Sequence, residues 1–182
     1  MINEFKVLKD VVTRLNKNKI PYMLSGSIAM NYYSEPRMTR DIDIVIEIES
    51  AEKFYNLFKK NFYIDLEMIR DSILNKKMFN IIHLGEIIKI DFMVRKDSEF
   101  RKTEFSRRRK VKIGNLEIFI VSIEDLILSK LIWAKDSRSE IQLKDVKNLL
   151  REKVDMEYIK KWADALLINN LLNEVLGKQN GQ

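Results

Sequence analysis

The segment DIDIVIEI at residues 41–48 constrains the fold more than any other part of the chain. Isoleucine occupies every second position in it, and a period of two is that of a β-strand with one apolar face. The opposite face carries Asp41, Asp43 and Glu47. A strand packed in a core does not need these carboxylates. They therefore indicate either a solvent-facing edge strand or a site for cations.

A third carboxylate has a similar setting. Asp91 lies inside the apolar run IIKIDFMV at 87–94, which also predicts a strand. If this strand lies beside residues 41–48, three carboxylates converge on one face of the sheet. Such a cluster would destabilise the fold without a cation, whereas Mg²⁺ or Mn²⁺ prefers oxygen ligands of this kind. The alternative is that Asp91 pairs with Lys89 or Arg95.

Gly26 and Ser27 lie between a short predicted strand at 20–24 and a predicted helix at 27–33. A glycine lets the backbone approach a ligand closely, and the first turn of a helix presents free N–H groups. Ser27 adds a hydroxyl donor. The pair predicts a phosphate site, although Gly-Ser is also a common turn. No GxxxxGK[ST] loop of the Walker type occurs in the sequence.

The remaining patterns predict an α+β protein with a helical C-terminal third. The Gly85-Glu86 and Gly114-Asn115 pairs each separate two apolar runs and predict hairpin turns. FYIDLEM at 62–68 predicts a further strand. Apolar spacing predicts helices at 3–17, 27–33, 50–60, 69–76, 123–136, 142–152 and 156–176. We therefore expect a mixed, antiparallel-rich sheet flanked by helices.

The length and composition bound the class of protein. The 182 residues are 46% hydrophobic, which is enough for a buried core. We expect residues 1–121 to form the α/β core, with the helical residues 122–182 packed on it as one structural domain. The absence of cysteine excludes disulfide bonds and thiolate metal sites. No secretory signal or membrane-spanning run is visible, so we expect a cytoplasmic location and no membrane partner.

Positive charge is concentrated in one segment. The formal net charge is +6, and the run RKTEFSRRRKVK at 101–112 is the densest basic cluster. Such a cluster suits a phosphate-bearing partner, or it protects the edge of a sheet by charge.

Three short motifs together resemble the nucleotidyltransferase superfamily. They are Gly26-Ser27, the run TRDID at 39–43 and the run KID at 89–91. The superfamily pattern is a Gly-Gly/Ser turn, a DxD strand and a later strand aspartate. The segment that precedes the DxD resembles the branch that includes the nucleotidyltransferase toxins of abortive-infection and toxin–antitoxin systems. Residues 121–150 are similar to the Lys-…-Arg-…-Asp helical segment of that branch, at Lys130, Arg138 and Asp145.

The resemblance implies the nucleotidyltransferase fold and transfer of a nucleoside monophosphate from an NTP to an acceptor hydroxyl. The implied catalytic residues and ligands of Mg²⁺ or Mn²⁺ are Asp41, Asp43 and Asp91. The implied nucleotide-binding residues are Gly26, Ser27, Arg40 and Lys130. An RNA end, a protein or a small molecule such as an aminoglycoside would be the acceptor. A cognate antitoxin would be a further partner if the chain belongs to the toxin branch.

Alternatives remain for several of these assignments. A non-catalytic domain of this type would bind RNA or a partner protein through residues 101–112, although it would be expected to have lost an acid or the glycine. Lys130 lies within the apolar stripe of its predicted helix, so it extends to solvent or meets a negative partner. That partner is either a nucleotide phosphate or Asp145. Arg37 and Arg40 either contact phosphates or cap a loop.

Overall fold

The structure is a computed structural model that describes residues 2–34, 41–137 and 139–177. These residues form a mixed seven-stranded sheet and nine α-helices, which confirms the predicted α+β class. Arg37, Arg40 and Arg138 lie outside the described residues, so their predicted roles stay predictions.

The strand that begins at Asp41 lies at the centre of the sheet. Its strands are β1 (Tyr22–Leu24), β2 (Asp41–Ile46), β3 (Phe62–Tyr63), β4 (Met78–His83), β5 (Ile88–Val94), β6 (Arg109–Ile113) and β7 (Leu116–Ile120). Their spatial order is β3-β4-β5-β2-β1-β7-β6. The β2–β5 and β1–β7 pairs are parallel, and the other neighbouring pairs are antiparallel. The predicted antiparallel-rich sheet and both predicted hairpins are therefore confirmed.

The helices divide between two compact units. They are α1 (Ile2–Lys17), α2 (Gly26–Tyr33), α3 (Ala51–Phe58), α4 (Leu66–Asn75), α5 (Glu99–Ser106), α6 (Ile123–Ser137), α7 (Glu140–Leu149), α8 (Met156–Ala165) and α9 (Asn169–Val175). The first unit contains the sheet, α1, α3, α4, α5 and the first three residues of α2. The second contains the rest of α2 and α6 to α9. Within the described residues, no helix is long and apolar enough to cross a membrane.

The isoleucine face of β2 packs in the core of the first unit. Ile42, Ile44 and Ile46 are 0% exposed. Phe92 on β5 is the register partner of Ile44, and its ring lies 5.1 Å from that of Phe54 on α3. Burying side chains of this size is worth about 1.5–3 kcal/mol each. This packing fixes which face of β2 and β5 is buried, and it leaves the other face for the acidic residues.

The predicted helix at 156–176 is wrong, because two helices occupy this segment. Leu167 has a left-handed backbone, with φ of 55°, between α8 and α9. The N–H group of Ile168 donates to the carbonyl of Ala163 at 2.9 Å, which is the hydrogen bond that closes a left-handed helix end. Such an end normally contains glycine, so the leucine gave no stop signal in the sequence.

The predicted strand at 62–68 is shorter than expected. Asp65 accepts a hydrogen bond from the N–H group of Met68 at 2.8 Å and so caps α4. The helix therefore begins at Leu66, and only two residues remain in β3.

The basic run at 101–112 divides between α5 and β6, and the sequence did not predict α5. The Ser98 side chain caps this helix by accepting from the N–H group of Arg101 at 3.4 Å. Phe100 and Phe105 are its buried aromatic residues. Charged residues dominate the segment, so two apolar positions were too few to reveal the helical period.

Candidate active site

The parallel pairing of β2 with β5 brings the predicted acids together. Asp41 is the register partner of Lys89, and Asp43 is the register partner of Asp91. All four residues lie on the face opposite the buried isoleucines, because strand side chains alternate. Since β2 lies between β5 and β1, the edge-strand explanation for its carboxylates is wrong. We call Asp41, Asp43 and Asp91 the carboxylate cluster.

The cluster runs from solvent into the protein. The side chain of Asp41 is 55% exposed, whereas that of Asp91 is 10% exposed. Asp91 Oδ2 lies 2.8 Å from Lys89 Nζ. Asp91 Oδ1 is buried and has no hydrogen-bond partner in the described part of the chain. A buried carboxylate oxygen without a donor is costly, so this atom is a candidate to accept from a ligand or to bind a cation.

Lys89 contacts two of the three members of the carboxylate cluster. Its ammonium group lies 2.8 Å from Asp91 Oδ2 and 3.7 Å from Asp41 Oδ1. The hydrogen bond to Asp91 raises the pKa of Lys89 above its usual value, and the charges of the three aspartates act in the same direction. The pairing of Asp91 with Lys89, expected as an alternative, is thus present. Arg95 instead pairs with Glu47 and Asp97.

Gly26 brings the start of α2 against the cluster. Its φ is +56°, and a Cβ atom at this position would lie 1.9 Å from Asp43 Oδ2. The preceding Ser25 donates its backbone N–H to the carbonyl of Asp43 at 2.9 Å. Only glycine fits here, because a side chain would overlap the carboxylate. The first turn of α2, which includes Ser27, therefore begins beside Asp43.

The donor chemistry of the cluster fits a hard divalent cation. In the described ranges, no group of three or more histidine, aspartate or glutamate side chains is already arranged to hold a metal ion. Lys89 Nζ, however, already lies between oxygens of Asp41 and Asp91, as a small cation would. Carboxylate oxygens and the unpaired Asp91 Oδ1 are the ligand type that Mg²⁺ and Mn²⁺ prefer. The residues present therefore fit such a cation.

Lys130 belongs to a buried polar cluster in the second unit. Its Nζ lies 2.7 Å from Asp145 Oδ2 and 3.1 Å from Gln142 Oε1. Both charged side chains are buried. The alternative pairing of Lys130 with Asp145 is therefore present. A role of Lys130 in nucleotide binding stays a prediction.

Several side chains of the basic run at 101–112 have partners within the first unit. Arg101 pairs with Glu104 at 2.8 Å, and Lys110 pairs with Glu117 at 2.7 Å. Arg108 lies over the ring of Phe105 at 4.4 Å. The strand β6 forms one edge of the sheet. These contacts favour edge protection as the role of the run.

Solved structures of antibiotic-modifying enzymes share this fold. The solution structure of the antibiotic-resistance factor ANT(2'')-Ia aligns with a TM-score of 0.66 at 12% identity and covers 94% of this chain and 95% of that one. A crystal structure of ANT(2'')-Ia in complex with adenylyl-2''-tobramycin aligns at 0.62 and 11% identity, covering 93% and 99%. The lincosamide antibiotic adenylyltransferase LnuA, bound to lincomycin, aligns at 0.55 and 14% identity, covering 82% and 95%. At these identities the likeness establishes the fold.

The family is established by sequence. A comparison with curated proteins finds no match. The family model described as aminoglycoside-2''-adenylyltransferase matches residues 7–130, more than half of the chain. The match includes Gly26 and the whole carboxylate cluster. None of these comparisons supports the toxin–antitoxin branch that the sequence motifs suggested. The chain is a nucleotidyltransferase and belongs to the aminoglycoside-2''-adenylyltransferase family.

Proposed function

We propose that this protein transfers AMP from ATP to a hydroxyl group of an aminoglycoside antibiotic. The observation that carries the proposal is the in-register pair of Asp43 and Asp91, with Gly26 packed against Asp43. Membership of the adenylyltransferase family supports it. The tobramycin adduct bound to ANT(2'')-Ia and the lincomycin bound to LnuA make small antibiotics the first acceptors to test.

The carboxylate cluster would hold the divalent cation. Asp41, Asp43 and Asp91 would bind Mg²⁺ or Mn²⁺, which when bound offsets negative charge on the reacting phosphate and on the departing pyrophosphate. The register that sets Asp43 beside Asp91 and the proximity of Gly26 to Asp43 support this assignment.

The nucleotide would bind at the start of α2. The backbone at Gly26 approaches Asp43 closely, so a triphosphate held by the N–H groups of the first turn lies beside the cluster. Ser27 would add a hydroxyl donor. Arg40 and Lys130 would also bind this nucleotide.

Asp91 would act on the acceptor. Its buried Oδ1 would accept the hydrogen bond of the attacking hydroxyl and take up its proton. The hydroxyl oxygen then forms a bond to the α-phosphorus, and the bond from that phosphorus to the pyrophosphate oxygen breaks. Pyrophosphate leaves with the electron pair, and AMP remains on the acceptor.

An acceptor assay with α-labelled nucleotides tests the proposal. The purified chain is incubated with Mg²⁺, each NTP in turn, and tobramycin, lincomycin or total RNA. We expect label from ATP in tobramycin, release of pyrophosphate and a product heavier by one AMP residue. The Asp43→Asn variant serves as the control and should give no product. Label that appears only in RNA or in lincomycin would contradict the proposal.

A further inference from the structure

In the described part of the chain, the ammonium group of Lys89 is the cation that contacts the buried carboxylate of Asp91. Lys89 and Asp91 are two residues apart on β5, so both project from the same face. The in-register pairing with β2 adds Asp41 beside Lys89. One ammonium group therefore lies between carboxylates of two neighbouring strands, 2.8 Å from one and 3.7 Å from the other.

The contact between Lys89 and Asp91 is unequal in burial. The side chain of Asp91 is 10% exposed, whereas that of Lys89 is 41% exposed. A buried carboxylate needs a positive partner, and the lysine supplies it from the solvent side of the sheet. Its four-carbon stem is flexible, so the ammonium group can leave Asp91 without movement of β5.

A divalent cation held by the cluster would bind the same two carboxylate groups, those of Asp41 and Asp91. Asp91 Oδ2 accepts a hydrogen bond from Lys89, while Oδ1 lacks a partner in the described residues. An ammonium group and a metal ion at this position would also repel each other. The two cations are therefore alternatives.

We infer that Lys89 is a positioning residue that takes the place of a divalent cation in the metal-free cluster and competes with the metal for Asp91. The inference rests on the proposed function, because it concerns the cation that this function uses. Lys89 keeps the carboxylates of Asp41 and Asp91 together before the metal arrives, and it lowers the affinity of the site for free metal.

The inference is tested by titration of the full chain with Mn²⁺ alone. Binding is monitored by calorimetry and by the electron paramagnetic resonance signal of free Mn²⁺. We expect Lys89→Met to bind Mn²⁺ about tenfold more tightly than the wild type, a factor that corresponds to about 1.4 kcal/mol. Lys89→Gln keeps a hydrogen-bond donor but removes the charge, and it should bind as tightly as the methionine variant. Lys89→Arg keeps the charge and should bind Mn²⁺ no more tightly than the wild type. The glutamine variant carries the test if the methionine variant does not fold.

Lys110→Met is the matched control. Lys110 also forms an ion pair on the sheet, 2.7 Å from Glu117, but it lies on β6, away from β2 and β5. Its loss should leave the Mn²⁺ affinity unchanged.

The outcomes separate the inference from the proposed function. If Lys89→Met and Lys89→Gln bind Mn²⁺ no more tightly than the wild type, the competition is absent and only the role of Lys89 is overturned. If neither the wild type nor the variants bind Mn²⁺, the inference falls together with the metal assignment of the cluster.

Discussion

Gly26 has a backbone that other residues adopt at a cost and a neighbour that leaves no space for a side chain. Its φ of +56° alone would cost an alanine about 1–2 kcal/mol. The added methyl group would also lie 1.9 Å from Asp43 Oδ2, so the carboxylate would have to move. Gly26 therefore couples the start of α2 to the position of a candidate metal ligand.

Gly26→Ala should lower kcat/KM for nucleotide transfer about a hundredfold, because a small displacement of a catalytic group has effects of this size. Gly114→Ala is the matched control. Gly114 has nearly the same φ, +59°, and a Cβ atom there would have no neighbour within 4 Å. Both variants should lose stability in urea unfolding, but only the first should lose activity. Equal activity in the two variants would show that the contact with Asp43 does not matter.

A different prediction concerns the buried pair of Lys130 and Asp145. Lys130→Met leaves the Asp145 carboxylate buried without its partner at 2.7 Å. We expect a loss of about 3–5 kcal/mol in the free energy of unfolding, measured by urea titration. The double variant Lys130→Met/Asp145→Leu removes both charges and should recover most of that loss. A single variant as stable as the wild type would mean that the pair is not a structural ion pair.

The residues of the cluster could be predicted from sequence, but the position of Lys89 between Asp41 and Asp91 could not. Asp41, Asp43 and Asp91 are recognisable because a carboxylate in an apolar strand is unusual. Lys89 lies 2.8 Å from Asp91 Oδ2, yet a lysine on a strand is common and gave no comparable signal. Its position became clear only from the register of β2 with β5.

At the scale of elements, the pairing of β2 with β5 builds the site. The periodicity of the sequence predicted both strands. It did not predict that the two strands lie side by side. Register between distant segments depends on packing of the whole sheet. Here the isoleucine face of β2 and Phe92 of β5 share one side, and this common apolar face fixes the register. A slip by one residue would place Asp43 in the core.

The break between α8 and α9 could not be predicted, and the reason lies in the residues at the break itself. Asn169 and Asn170 are weak helix formers, but the residue that closes the helix is Leu167. This leucine is 79% exposed and has φ of 55°. The helix ends by hydrogen bonding around a left-handed residue, in a place where sequence patterns expect glycine or asparagine.

Leu167→Gly should therefore stabilise the protein. Glycine adopts the left-handed backbone without steric cost, and little apolar contact is lost at an exposed position. We expect the free energy of unfolding, measured by urea titration, to rise by about 0.5–1 kcal/mol. This value already subtracts the stability that is lost because glycine adds entropy to the unfolded chain. Ala165→Gly, at the exposed last residue of α8, should instead lower the free energy of unfolding by up to about 1 kcal/mol. Destabilisation by Leu167→Gly would contradict the strain that we assign to this helix end.

At the scale of the whole molecule, the site is assembled from segments that are distant in the chain. Gly26, Asp43 and Asp91 come from α2, β2 and β5, and the sheet brings them together. The family match ends at residue 130, within α6. The predicted boundary at residue 121, with 122–182 packed on the core, stays a prediction.

We propose that the carboxylate cluster holds the divalent cation used in nucleotidyl transfer. The direct measurement is the anomalous scattering of Mn²⁺ in crystals of the protein with an unreactive ATP analogue. We predict an anomalous peak about 2.1 Å from carboxylate oxygens of Asp41 and Asp43, with the α-phosphate of the analogue beside it. An Mn²⁺ ion bound to the analogue and to other residues, with none at Asp41 and Asp43, would show that the cluster does not hold the cation.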